Sequence, residues 1–308
     1  MADTGTKNPV AVEQAGGRFH CSEAYVPLAR TAHLIAHDLM PIFYDTHAHL
    51  DYPDFASDLP QVIERAQAAG ITKIISIGTD VASSQRAIQL SERFGQVFAA
   101  VGWHPAHALE APDDLRPALR ELARHPKVVA IGETGLDNHR LPSAKAGGAA
   151  ADDERYQRKQ AQIFEQQLEV AAESGLNCVV HQRDALEATL AMMQKFAGRV
   201  RGQFHCFADD EAAMRRIVTM GSLVSFTGIV TFKSAQNVRD ALAATPLDHF
   251  MLETDCPYLA PAPYRGKRCE PAHVREIAGV VAQVKGCTLE DLSAASCKTA
   301  LGFFPKLK

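Results

Sequence analysis

Eight short apolar runs, rich in β-branched and aromatic residues, recur along this sequence with helix-length stretches between them. They read IFYDTH, ITKIISIG, VFAAVGWH, KVVAIGE, LNCVVH, VRGQFH, SLVSFTG and DHFMLETD. The stretches between them, such as LPQVIERAQAAG and YQRKQAQIFEQQLEVAAESG, carry apolar residues at helical spacing and end on a glycine. Strand and helix in alternation imply a parallel sheet with helices outside it. Eight such units are the count for a closed α/β fold, the (β/α)8 TIM-type barrel, expected here over residues 42–308. Residues 1–41 lack the rhythm and read as an N-terminal extension, loose at first and helical near its end. His20, His33 and His37 fall there and are expected to be surface or packing residues. Residues 138–154, rich in Gly, Ala and charge, read as a flexible loop on the strand-tip face that shapes substrate access or, the favoured reading, is a tolerated insertion.

Composition narrows the function. The apolar runs are far shorter than a bilayer span, so no transmembrane helix is expected. The first residues lack the basic start and apolar core of a secretory signal, and early acidic residues argue against a transit peptide. The net charge of -4 excludes a generally basic, nucleic-acid-coating surface and leaves room for a local cationic patch. The 7 cysteines are scattered and form no CxxC pair, which suits reduced thiols and a cytoplasmic location.

In a barrel of this kind, chemistry gathers at the C-terminal ends of the strands. The first run ends in His47 and His49, the fourth in Glu133, the fifth in His181, the sixth in His205 and the eighth in Asp255. His47 and His49 are two apart, and residues i and i+2 of a strand share a face. Imidazole and carboxylate together suit zinc, manganese, iron or cobalt, with magnesium admitted at carboxylate-rich positions. Uncompensated buried charge is too costly to collect by chance, and a shared metal centre would supply the compensation.

These residues stand in motifs that resemble a known family. DTHAHLD, VGWHPAH, AIGETGLD, VVHQRDA, FHCF and LETDCPYLAP followed by GKRCEP are similar, in order, to the TatD family of metal-dependent deoxyribonucleases, part of the amidohydrolase-like superfamily. The resemblance covers about Tyr44 to the C-terminus. It implies two divalent ions (Mg, Mn or Zn): His47, His49 and Asp255 around one, His181 and His205 around the other, and Glu133 bridging. Two such ions can acidify a shared water and clamp the oxygens of a phosphodiester. Asp255 could then accept that water's proton, so Asp255 and Glu133 are the expected catalytic pair. Cys206 and Cys256 lie beside ligands and are expected to point away by alternation, as packing residues.

Substrate contacts are expected from a cationic rim: His104 at the third tip, Arg183 after the fifth, and Arg265 and Lys267 after the eighth, with Tyr258 to stack or pack. Lys233 and Arg268 are expected to be ordinary surface charge. Some positions depart from the family pattern: Gln182 where a small Ser or Thr is usual, Cys269 where Asn is usual, and no Asn in CKTALGFF. None removes a ligand.

The expected function is therefore metal-dependent hydrolysis of DNA phosphodiester bonds by an exonuclease acting as a monomer on single strands or ends. The alternative keeps the metal centre and changes the bond, to an ester, lactone, amide, phosphotriester or aminoacyl-tRNA. A non-catalytic metal-stabilised barrel would be expected to carry a damaged ligand position, and no such position is found.

Overall fold

The structure is a computed structural model that describes residues 40–139, 141–144 and 149–308. Eight strands form one parallel sheet in sequence order: β1 Phe43–Ala48, β2 Ile71–Ile77, β3 Val97–Val101, β4 Val128–Asp137, β5 Asn177–Arg183, β6 Gly202–Phe204, β7 Leu223–Phe226 and β8 Phe250–Leu252. The ring closes by a parallel bridge between Ala48 and Cys256. There His49 N donates to Cys256 O at 2.8 Å and Asp255 N to His47 O at 2.9 Å. This is the TIM-type (β/α)8 barrel that the eightfold rhythm predicts. The residues expected to form an extension lie, up to Leu39, outside the described residues, as do His20, His33 and His37.

Helices follow the strands: α1 Leu59–Ala68, α2 Val81–Arg93, α3 Arg116–Ala123, α4 Ala150–Ser174, α5 Leu186–Gln194, α6 Glu211–Thr219, α7 Gln236–Ala244, α8 Val274–Lys285 and α9 Leu289–Phe303. Their ends carry the expected signals. The Asp80 carboxylate accepts from Ser83 N at 2.6 Å, Asp210 from Ala213 N at 2.9 Å, and Gly175 ends α4 in the left-handed region at φ 65°. The predicted loop over residues 138–154 needs correction, because α4 begins at Ala150. Alanine favours the helix, and Asp152 and Asp153 in its first turn suit its dipole. Arg140 and residues 145–148 lie outside the described residues.

Two apolar cores result. Outward-facing strand residues such as Phe43, Val180, Phe204 and Phe250 pack under the helices. Inward-facing Tyr44, Ile75, Phe98, Val179, Leu223 and Met251 fill the barrel floor, where Phe303, Phe304 and Leu307 from the chain's end cover them. Above that floor lies a polar layer. Gln203 Nε2 shares its two N–H donors among Thr46 Oγ1 at 2.8 Å, Ser225 Oγ at 3.0 Å and Glu253 Oε2 at 2.9 Å. The functional side chains stand on this layer, consistent with the layered filling of such barrels.

Candidate metal centre

His47 reaches the centre by an irregularity rather than by simple alternation. Thr46 and His47 are neighbours, yet Thr46 meets Gln203 inside the barrel while the His47 ring stacks on His205, centroids 4.0 Å apart. A regular pleat sends neighbours to opposite faces. The pairing register of β1 shifts between Asp45 and Ala48, which lets both face inward. His49 lies one residue past the strand, and its Nε2 comes within 3.3 Å of His47 Nε2. The two rings do converge, but through a bulge and a strand end.

Glu133 also departs from its expected place. It sits inside β4, which runs on to Asp137, not at the strand tip. The glycines around it permit this. A Cβ on Gly135, at φ 133°, would lie 2.0 Å from His181 O, so only glycine allows β4 to pass β5 at this point. Asp255 lies three residues beyond β8 in the left-handed region at φ 57°. His205 directly follows β6, and His181 is inside β5.

The buried Glu133 carboxylate faces two ways. Its Oε1 is 2.8 Å from His205 Nε2, 3.0 Å from His181 Nδ1 and 3.2 Å from His104 Nε2. Its Oε2 is 3.5 Å from His47 Nε2 and 3.7 Å from His49 Nε2. Asp255 Oδ1 lies 3.5 Å from His47 Nε2 and 3.4 Å from His49 Nε2. Three overlapping groups have atoms close enough to hold an ion: His47–His49–Asp255, His47–Glu133–His205 and His104–Glu133–His181.

Burial alone would push the Glu133 carboxyl up, but His205, His104 and His181 outweigh it and hold it well below the ordinary range. Asp255 is likewise lowered against its burial, by His49, His47 and His205. Burial and the neighbouring His205 bring the His47 ring down to about 4. Burial would also lower His181, but Asp137 and Glu133 carry it up to about 9. Two ionised carboxylates thus sit among the imidazoles of His47, His49, His181 and His205, with the Nε2 atoms of His47 and His49 turned toward each other. Nitrogens 3.3 Å apart can share a single proton, and a divalent cation satisfies both at once. The donor set therefore fits a hard or borderline divalent metal, and no cysteine belongs to it.

His104 is closer to the centre than a rim residue would be. Its Nδ1 accepts from Ala106 N at 2.9 Å, so the neutral ring carries its proton on Nε2 and donates to Glu133. A nitrogen bearing that proton cannot ligate, so His104 acts here as a hydrogen-bond donor. Asp137 is a member of the site that motif reading passes over. Its Oδ2 is 3.1 Å from His181 Nε2, which leaves Nδ1 to face Glu133. Continuing the pleat of β4 from Glu133 by four residues would have found it. Glu253 lies behind His205, fully buried and pushed up to about 7 by that burial, and accepts from Ser225 Oγ at 2.7 Å.

The other expected contacts are more dispersed. Arg183 ends β5, and Arg265 lies with its guanidinium 3.7 Å over the Phe232 ring. Arg183, Arg265, Lys267 and Lys233 are all exposed. Tyr258 is 55% exposed and meets Tyr52 edge-on at 6.3 Å. Tyr52, which motif reading did not single out, stacks on His49 at 4.7 Å. Arg268 is engaged with both oxygens of Asp58 at 2.8 Å. Cys206 and Cys256 follow strand ends, so turn geometry places them, not strand alternation. Cys206 has φ 49°, and Cys256 is buried.

Comparison with known proteins places this centre in a family. The profile described as TatD related DNase matches residues 44–305. Uncharacterized metal-dependent hydrolase YabD of Bacillus subtilis is 36% identical over 264 residues, 85% of this chain and 99% of that protein. A protein of Pantoea vagans named 3'-5' ssDNA/RNA exonuclease TatD is 32% identical over 268 residues, 85% of this chain and 98% of its own length. The crystal structure of YJJV, a TatD homologue from Escherichia coli, superposes with a TM-score of 0.77 at 27% identity, covering 85% of this chain and 98% of that one. No helix among the described residues is long and apolar enough to cross a membrane. With its barrel, its histidine–carboxylate centre and these matches, the chain belongs to the TatD family of metal-dependent hydrolases.

Proposed function

We propose that this protein hydrolyses phosphodiester bonds of single-stranded DNA, as an exonuclease, with two divalent ions at the barrel mouth. In this reading His47, His49 and Asp255 would hold one ion, His181 and His205 would hold the other, and Glu133 would be shared between them. The observation that carries it is the two-faced Glu133 carboxylate, with Oε1 on His205 and His181 and Oε2 on His47 and His49. Single-stranded substrates and exonuclease action are supported by the name of the Pantoea vagans relative.

Bound ions would supply Lewis-acid chemistry, acidifying a water and neutralising charge on the scissile phosphate. The protein's own groups do the rest. Asp255, kept ionised by its histidine neighbours, accepts the proton released as the water attacks. His104 donates from Nε2 to Glu133 and fixes that carboxylate's orientation. Asp137 holds His181 by its far nitrogen. Tyr258 offers a face to a base, and Arg183, Arg265 and Lys267 are the cations proposed to meet phosphates.

The test is an assay of purified protein with Mg²⁺, Mn²⁺ and Zn²⁺ on single-stranded DNA and on a set of esters and lactones. Metal-dependent shortening of DNA is the expected result. Turnover of an ester or lactone without action on any nucleic acid would replace this reading.

A further inference from the structure

A groove of about 610 Å³ lies between the loop after β1, the start of α1 and helix α2. Tyr52, Asp51, Gln61, Arg86, Gln89 and Arg93 contribute to its lining. Tyr52 connects it to the centre, because its ring stacks on His49 at 4.7 Å with an interplanar angle of 24°. Tyr258 stands over the same junction, 55% exposed.

The groove's cations are held ready on one helix. Arg86 and Arg93 are seven residues apart, two helical turns or about 10 Å. Arg86 is anchored by Asp51, whose Oδ2 lies 2.9 Å from its Nη2 and also accepts from Ser83 Oγ at 2.8 Å. Asp51 Oδ1 is buried with no hydrogen-bond partner among the described residues. Arg93 is exposed, packs 4.9 Å over Phe94 and forms no ion pair among the described residues. Arg65 and Arg268, on the other flank of the β1 loop, pair with Asp58 and Glu270 as Arg86 pairs with Asp51, so Arg93 is the groove cation without an ion pair among the described residues. A channel with aromatic rings at its head, amides along it and two arginines on one wall matches an extended polyanion that carries bases. A compact ester or lactone would make no use of it.

We propose that this groove binds the single strand beyond the bond being cut. Bases stack on Tyr258 and Tyr52, and Arg86 and Arg93 contact the following phosphates. The proposal rests on the nucleic-acid reading above and adds a second site to it.

The test compares kcat and KM for a dinucleotide and for DNA and RNA oligonucleotides of roughly ten residues, a length that spans such grooves. The wild type is expected to show a KM about tenfold lower for the long chains. Arg93→Glu is expected to raise the long-chain KM about tenfold and flatten its salt dependence, leaving kcat and the dinucleotide KM unchanged. Thermal melting of Arg93→Glu checks that it folds, and Gln89→Glu supplies a second charge in the same wall. If the wild type cleaves long and short chains with equal KM, and both variants are silent, the groove proposal fails alone. If the wild type cleaves no nucleic acid, both proposals fall together.

Discussion

The backbone N–H of Asp255 donates to the carbonyl of His47 at 2.9 Å, and this bond closes the barrel while setting two candidate metal-binding side chains side by side. Asp45 braces the same seam. Its Oδ1 accepts from Thr254 N at 2.9 Å and its Oδ2 from Thr254 Oγ1 at 2.6 Å. Barrel closure and assembly of the centre therefore depend on shared contacts.

Asp45→Ala tests that coupling. It leaves two buried donors of Thr254 unpaired and is expected to cost about 2–4 kcal/mol of stability. Urea unfolding in a chelator reads the stability, and a metal titration reads the centre. Both should weaken together. A lower unfolding midpoint with unchanged metal affinity would separate the seam from the site.

Asp137→Ala tests the grip on His181. Removing a carboxylate behind a metal-binding histidine typically lowers metal affinity about 10- to 100-fold. The same loss is expected here, with little change in melting temperature for the metal-free protein. Unchanged metal affinity would mean that packing alone orients His181.

Gly135→Ala tests the close approach of β4 to β5. The added Cβ would lie 2.0 Å from His181 O, in a backbone conformation at φ 133° that side chains rarely adopt. A loss of about 2–4 kcal/mol is expected, with weaker metal binding, because the backbone of His181 must move. A melting temperature equal to the wild type would contradict this account of β4.

The architecture is legible in the sequence because strand and helix periods differ and eight strand-like runs alternate with helical stretches. The histidine positions are legible because each ends an apolar run. Three features escape that reading. Glu133 looks like a strand end because glycines flank it, whereas Gly132 and Gly135 let β4 continue to Asp137. The inward turn of His47 depends on a register shift in β1 that leaves no mark in residue spacing. Tyr52 and Asp51 gain their meaning from α2, a contact between segments that no local pattern encodes.

The ion pairs of the β1 loop give a pH prediction. Hydrogen bonds from Arg268 and, secondarily, Arg65 lower the Asp58 carboxyl from 3.8 to about 2. A carboxyl lowered in the folded state contributes stability that is present above its ordinary value and lost as pH falls through the lowered one. Wild type should therefore exceed Asp58→Asn in unfolding midpoint near pH 5, with the gap closing between about pH 4 and 2. A gap that persists undiminished to pH 2 would exclude this pairing as its source.

In the proposed mechanism Glu133 joins two ions and hydrolysis needs both. Its most direct test is stepwise addition of Mn²⁺ to metal-stripped protein, with bound metal and cleavage of a single-stranded oligonucleotide measured at each step. The wild type is expected to reach full activity only at two bound ions per chain. Glu133→Ala is expected to stay folded, bind less metal and lose hydrolysis. Full wild-type activity at one bound ion, or activity of Glu133→Ala with metal removed, would contradict this mechanism.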